Sequence, residues 1–195
     1  MYIIDPLISS PNGEITHGDG RLKINEIIDN TPTFGALCSY QNILNTVDTT
    51  NQTPTVTDTP IQVTFGGAQS TTEFDLSADG SITCNVSGNY WFSILLQVAR
   101  AGTSGTAFAY IRLKLNGVQI STTILLKLQS VDTAQPVQFF FPAGLAESNV
   151  LTVEFMRGSE GTNEGFLSSL TPLATGWADV GSAALSIEKI LIPEQ

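Results

Sequence analysis

The only histidine of the chain, His17, lies in the turn His17-Gly18-Asp19-Gly20. Imidazole is the side chain that would activate a serine or cysteine nucleophile. No nucleophile motif stands near it, so it reads as a solvated turn residue. The carboxylates are scattered: Asp75 and Asp79 bracket a turn, and Glu160 and Glu164 share a Gly-rich loop. Acid–base work needs two such groups brought together, and these read as solvated loop acids. No run of oxygen ligands has the spacing of a calcium loop. Gly102-Thr103-Ser104-Gly105 and the segment 158–165 have the glycines of a phosphate cradle but not its Lys-Ser/Thr, and read as loop tips. Cys38 and Cys84 are far apart, each in an apolar strand-like segment. Free Cys there behaves as a small hydrophobe, so both are read as core and not as a disulfide framework. The sequons Asn51-Gln52-Thr53 and Asn85-Val86-Ser87 are read as chance matches. The expectation is no catalytic site, no metal site, no cofactor and no enzyme.

The elements that position these residues centre on residues 80–98, which read as a β-hairpin. Ile82, Cys84 and Val86 alternate with Ser81, Thr83 and Asn85, giving one apolar and one polar face. Ser87-Gly88-Asn89 reads as the turn. The return strand puts Tyr90, Phe92, Ile94, Leu96 and Val98 on one face and Trp91 and Leu95 on the other. A strand apolar on both sides must be covered on both, by another element of the chain or by another subunit.

Other strand signals flank it: Ala36 to Leu44, Ile61 to Phe65, and Thr72 to Leu76, which ends at the turn Ala78-Asp79-Gly80. Between the first two, Thr46 to Thr59 is the longest stretch of low hydrophobicity and reads as a polar loop. Ala107 to Leu115 alternates Ile111, Leu113 and Leu115 with Phe108, Tyr110, Arg112 and Lys114, and Asn116-Gly117 is the strongest hairpin signal in the chain. Val118 to Gln129 is its partner, with a break near Ser121. Gln135 to Phe141 stops at Pro142-Ala143-Gly144; Asn149 to Met156 and Ala183 to Leu191 follow. Eight to ten short strands with frequent turns indicate a sandwich or jelly roll.

Residues 1–33 differ. They carry Pro6, Pro11 and Pro32, turn clusters, and the apolar patches Ile3-Ile4, Leu7-Ile8 and Ile27-Ile28. This is too apolar for a flexible linker and too short for a domain, so an arm that needs a partner surface is expected, with residues 34–195 as the domain. At 195 residues the chain can bury roughly 70% of its unfolded surface in one core. It is 42% hydrophobic and 13% charged, with net charge −10, which argues against nucleic acid or an anionic membrane surface as partner. The start Met-Tyr-Ile-Ile-Asp-Pro-Leu-Ile lacks the basic region of a signal peptide. Synthesis and folding in a cytoplasm are expected.

The run Phe74…Gly80-Ser-Ile-Thr-Cys84…Gly88-Asn-Tyr90-Trp-Phe92, then Leu115-Asn-Gly117-Val, Phe140-Phe-Pro-Ala-Gly144, Val150-Leu-Thr-Val153 and Ser182-Ala-Ala-Leu-Ser-Ile-Glu-Lys189 resembles the globular head of the first complement component. That family shares the tumour necrosis factor (TNF) jelly roll, and the resemblance covers about residues 34–192. Residues 183–190 are most similar to bacterial spore-surface and phage-particle members. Ile82 and Ile94 stand where the family usually has aromatics, and no Gly-x-y stalk precedes the domain.

The resemblance implies an all-β fold, a TNF-like jelly-roll sandwich of two antiparallel sheets, assembled as a homotrimer and here preceded by an extended N-terminal arm. In that family the positions between the signature Tyr and Phe turn toward the three-fold axis, which singles out Trp91, Ser93 and Leu95, with Phe140, as trimer-interface candidates. Some relatives bind calcium near that axis. The expected function is a non-enzymatic structural protein of a virus particle, a phage capsid decoration or head-fibre protein assembled in a host cytoplasm. Ile3, Ile4, Leu7, Ile8, Ile27 and Ile28 would anchor it to capsid or tail proteins. The alternative is a receptor- or ligand-binding tip, on a tail fibre or a spore surface.

Overall fold

The computed structural model describes residues 39–102, 104–129, 134–173 and 175–191. The described residues Tyr40–Ile190 form one compact unit. The arm residues Ile3, Ile4, Leu7, Ile8, Ile27 and Ile28, like His17 and Cys38, lie outside the described residues.

The described residues form strands β1 (Ser39–Asp48), β2 (Ile61–Gln62), β3 (Gln69–Ser70), β4 (Phe74–Leu76), β5 (Ile82–Cys84), β6 (Gly88–Arg100), β7 (Ala107–Leu115), β8 (Val118–Gln119), β9 (Ile124–Leu128), β10 (Ala134–Leu145), β11 (Val150–Arg157), β12 (Gly165–Leu167) and β13 (Ala183–Leu191), and no helix. One sheet runs β1-β13-β6-β10, with β12 also on β6. The other runs β3-β4-β5-β11-β7-β8, with β2 on β11 and β9 on β7. Counting β1, β5, β6, β7, β9, β10, β11 and β13 as a jelly roll's eight strands, the sheets read 1-8-3-6 and 2-7-4-5. That is the order a long folded-back strip takes when it rolls up into two Greek keys. The fold is an all-β jelly roll of two antiparallel sheets, as the sequence led one to expect.

Alternation decides which side of each strand is buried. Tyr90, Phe92, Ile94, Leu96 and Val98 of β6, with Leu185 and Ile187 of β13, meet Phe74, Ile82, Cys84, Ile111, Val153 and Phe155 of the other sheet. Phe74 makes edge-on contacts across the core, 4.6 Å from Tyr90 and 5.9 Å from Phe92 between ring centroids. Asn116 and Gly117 (φ 50° and 79°) form the expected tight turn, both in the left-handed region that a two-residue hairpin requires. β8 stops at Gln119, where Ser121 Oγ accepts the Leu113 N–H at 2.9 Å, so the anticipated break is present.

Several expectations are corrected. The 80–98 hairpin does not exist: β5 pairs β4 and β11, whereas β6 pairs β10, β12 and β13. Both strands turn alternate residues inward, but from opposite sheets, and a corner between sheets carries the same alternation as a hairpin. Val86 is exposed at this corner, where its carbonyl accepts the Tyr90 hydroxyl at 2.5 Å. β10 does not stop at Phe141 but continues through Pro142, Ala143 and Gly144 opposite Trp91, Tyr90 and Asn89. It is an edge strand, where a residue without an N–H is tolerated. β12 lies at the end of a segment read as a loop tip.

The stretch from Thr46 is also not simply a polar loop, because Thr46, Asp48 and Gln52 are buried. Asp48 accepts the Thr50 N–H (2.8 Å) and hydroxyl (2.6 Å) on Oδ1 and the Thr64 hydroxyl (2.6 Å) on Oδ2. Gln52 donates to the Thr64 carbonyl (2.9 Å) and the Ser182 hydroxyl (3.1 Å). Low hydrophobicity here marks a satisfied polar network, the condition under which buried polar groups are stable.

Burial by itself would raise the Asp48 carboxyl, but the hydrogen bonds from Thr50, Thr64 and Gly66 outweigh it and hold it below its ordinary 3.8. A lowered folded-state pKa contributes stability above the unfolded value that is lost as pH falls through the folded value. The urea midpoint should therefore fall between about pH 5 and pH 3. Asp48→Asn should lower the midpoint at neutral pH and fall less steeply on acidification; parallel curves would exclude the Asp48 contribution. A remainder is expected from Glu154, where the hydrogen bonds and charges of Lys114 and Arg112 likewise overcome burial.

Candidate functional site

Because β6 is the middle strand of its sheet, its outward side chains stand between two registered neighbours. Trp91 lies between Pro142 of β10 and Glu188 of β13, Ser93 between Phe140 and Ser186, and Leu95 between Gln138 and Ala184. The four residues singled out from the sequence, Trp91, Ser93, Leu95 and Phe140, thus share one outward face. Phe140 is 56% exposed, its ring turned away from the core that Phe139 and Phe141 pack against. Gln138 Nε2 reaches Ser93 Oγ at 3.4 Å. Beside Leu95 the face sinks into a shallow depression of ≈ 530 Å³ whose lining includes Val47, Ser93, Leu95, Gln138, Ala184 and Ser186.

The sequence reading missed Pro142, Val47 and Ala184. Alternation within each strand was visible, but their place beside Trp91 and Leu95 follows only from the register. Glu188 is the one charged side chain in the three rows across β6. Such a surface can exclude water against a matching surface; its hydroxyls, Ser93 and Ser186, have no histidine in these rows, and Glu188 is the one carboxylate among them.

The chemistry-bearing residues are otherwise engaged. Asp79 Oδ1 accepts the Ser81 N–H at 2.9 Å, and Asp75 lies within β4. Glu160 accepts the Tyr110 hydroxyl at 2.6 Å, whereas Glu164 pairs with Arg157. Cys84 is buried, which pushes its thiol up. The loops at 102–105 and 158–165 interlock: Ala101 N–H donates to the Glu164 carbonyl (2.9 Å) and Asn163 N–H to the Thr106 carbonyl (3.1 Å). A side chain on Gly102 would come within 2.0 Å of Asn163 Oδ1, so these glycines serve loop packing. Among the described residues no three or more His, Cys, Asp or Glu are grouped to hold a metal ion.

No family model matches the chain, and no curated protein matches its sequence. Solved structures do match. The globular domain of zebrafish complement 1qA protein is 14% identical over 78% of this chain and 100% of its own, with a TM-score of 0.47. Murine APRIL at pH 5.0 is 12% identical over 76% of this chain and 98% of its own, with a TM-score of 0.46. The likeness concerns the fold, which the strand order establishes independently.

Proposed function

We propose that the chain is a non-enzymatic, homotrimeric structural protein of a virus particle, a phage capsid decoration or head-fibre protein held on the particle by residues 1–33. The observation that carries this reading is the outward face of Trp91, Leu95, Phe140 and Pro142, an apolar surface on the middle and edge strands of one sheet. Surfaces of this kind are buried in symmetric subunit contacts. The three-fold arrangement is the one the TNF-like resemblance implies, and the similarity of residues 183–190 to phage and spore-surface members suggests the particle.

The arm's apolar patches, separated by Pro and Gly turns, can bury little surface against one another. Three arms on one trimer turn weak individual docking into strong attachment through effective concentration. Residues 34–195 alone should form a folded trimer by light scattering yet fail to decorate particles that lack the protein. Decoration at wild-type occupancy would place the anchor elsewhere. The second reading, a ligand-binding tip, is favoured by the loop between β12 and β13, where Leu173 is fully exposed and Trp177 is 76% exposed.

A further inference from the structure

The outward face of the other sheet carries a second feature. There Tyr110 and Arg112 of β7 stand opposite Met156 and Glu154 of β11. The loop that carries Asp58 and Pro60 is tied down beside them, with Asp58 N–H donating to the Arg157 carbonyl (2.9 Å) and Arg157 Nη2 to the Thr55 carbonyl (3.0 Å). Together with Thr123 these residues line a cavity of ≈ 270 Å³.

Its walls are held in place. The Tyr110 hydroxyl is clipped to Glu160 Oε1 at 2.6 Å, and a Cβ on Gly158 would come within 2.7 Å of the ring's Cε2, so the ring packs where only glycine leaves room. Hydrogen bonding to Glu160, then burial, then the charges of Glu160 and Asp58 raise the Tyr110 hydroxyl, which stays protonated at neutral pH. Asp58 has φ 58°, in the left-handed region that Asp and Asn reach more readily than other L side chains. Its Oδ1 accepts the Ser159 N–H at 2.9 Å, so backbone on both sides sets the carboxylate's position.

We propose that this cavity binds a single neutral sugar ring. The Tyr110 ring and the Met156 thioether form an apolar wall for the C–H face of a pyranose, while Asp58 accepts from its hydroxyls and Thr123 exchanges hydrogen bonds with them. A purely apolar ligand would leave the hydrogen-bonding groups of Asp58 and Thr123 at the rim unused. An anion is disfavoured, because Arg112, the one cation in the cavity's lining, is paired with Glu154 at 2.5 Å and the chain's net charge is −10. The volume lies just under the roughly 300 Å³ at which sites for drug-sized ligands begin, enough for one ring and not for a chain. The cavity lies on the sheet opposite the Trp91 face, so the inference stands whether or not that face is a subunit contact.

The test is saturation-transfer NMR on the full chain, with the methyl glycosides of glucose, galactose, mannose and N-acetylglucosamine as probes and glucuronate and glucosamine as charged controls. Transfer to the ring protons of at least one neutral glycoside is expected. Asp58→Asn and Tyr110→Leu should each weaken it by about tenfold or more, the scale of one hydrogen bond to a charged group. Asparagine tolerates the left-handed backbone, so Asp58→Asn carries the test even if Tyr110→Leu fails to fold. No transfer to any neutral glycoside, stronger transfer to a charged control, or transfer unchanged in the variants would each overturn the proposal.

Discussion

Trp91→Glu combined with Leu95→Glu is expected to convert the proposed trimer into monomers or aggregate while leaving each subunit's fold intact. Both side chains point away from the core, so in a lone subunit the new carboxylates are solvated and circular dichroism should be unchanged. In the trimer every subunit would bring two unpaired charges into the contact, beside the Glu188 already opposite Trp91. Burying an ion without a partner costs several kcal/mol even after relaxation, and three-fold symmetry repeats that cost in each subunit. Light scattering reads the outcome. The wild-type melting temperature should also rise with protein concentration, and that of the variant should not. A wild-type monomer at micromolar concentration would sink the assembly reading.

Phe92→Ala should remove a large share of the stability of the fold. Phe92 is fully buried, stacked on Phe141 at 5.1 Å with an interplanar angle of 7°, and edge-on to Phe74 across the core. Truncating a buried Phe costs about 3–5 kcal/mol in lost transfer free energy and residual cavity, against a total of about 5–15 kcal/mol for a domain. The urea midpoint is best measured in the Trp91→Glu, Leu95→Glu background, where dissociation does not contribute. Phe140→Ala in that background is the control: its ring is exposed, and the change should stay within about 0.5 kcal/mol. Equal effects at Phe92 and Phe140 would mean that the inward and outward faces of this sheet have been confused.

How far the sequence could be read follows from the range of each signal. Alternation in 90–98 and 107–115 determined which face of β6 and β7 is buried, since side chains change sides at every residue whatever the partner strand. Asn116-Gly117 determined its own turn, because the left-handed conformation there depends on two residues. The apolar outward pair Trp91 and Leu95 was visible for the same local reason. Pairing and register were not. Ile82–Cys84 and Gly88–Arg100 look like a hairpin but belong to opposite sheets. Pro142 falls beside Trp91 only because β10 runs on along the sheet edge. The buried Asp48 needs Thr64, and the cavity needs Asp58, Tyr110 and Met156 from distant parts of the chain. These juxtapositions belong to the tertiary structure, because a strand's partner is chosen by what both faces can bury at once, a free-energy difference spread over the whole sandwich.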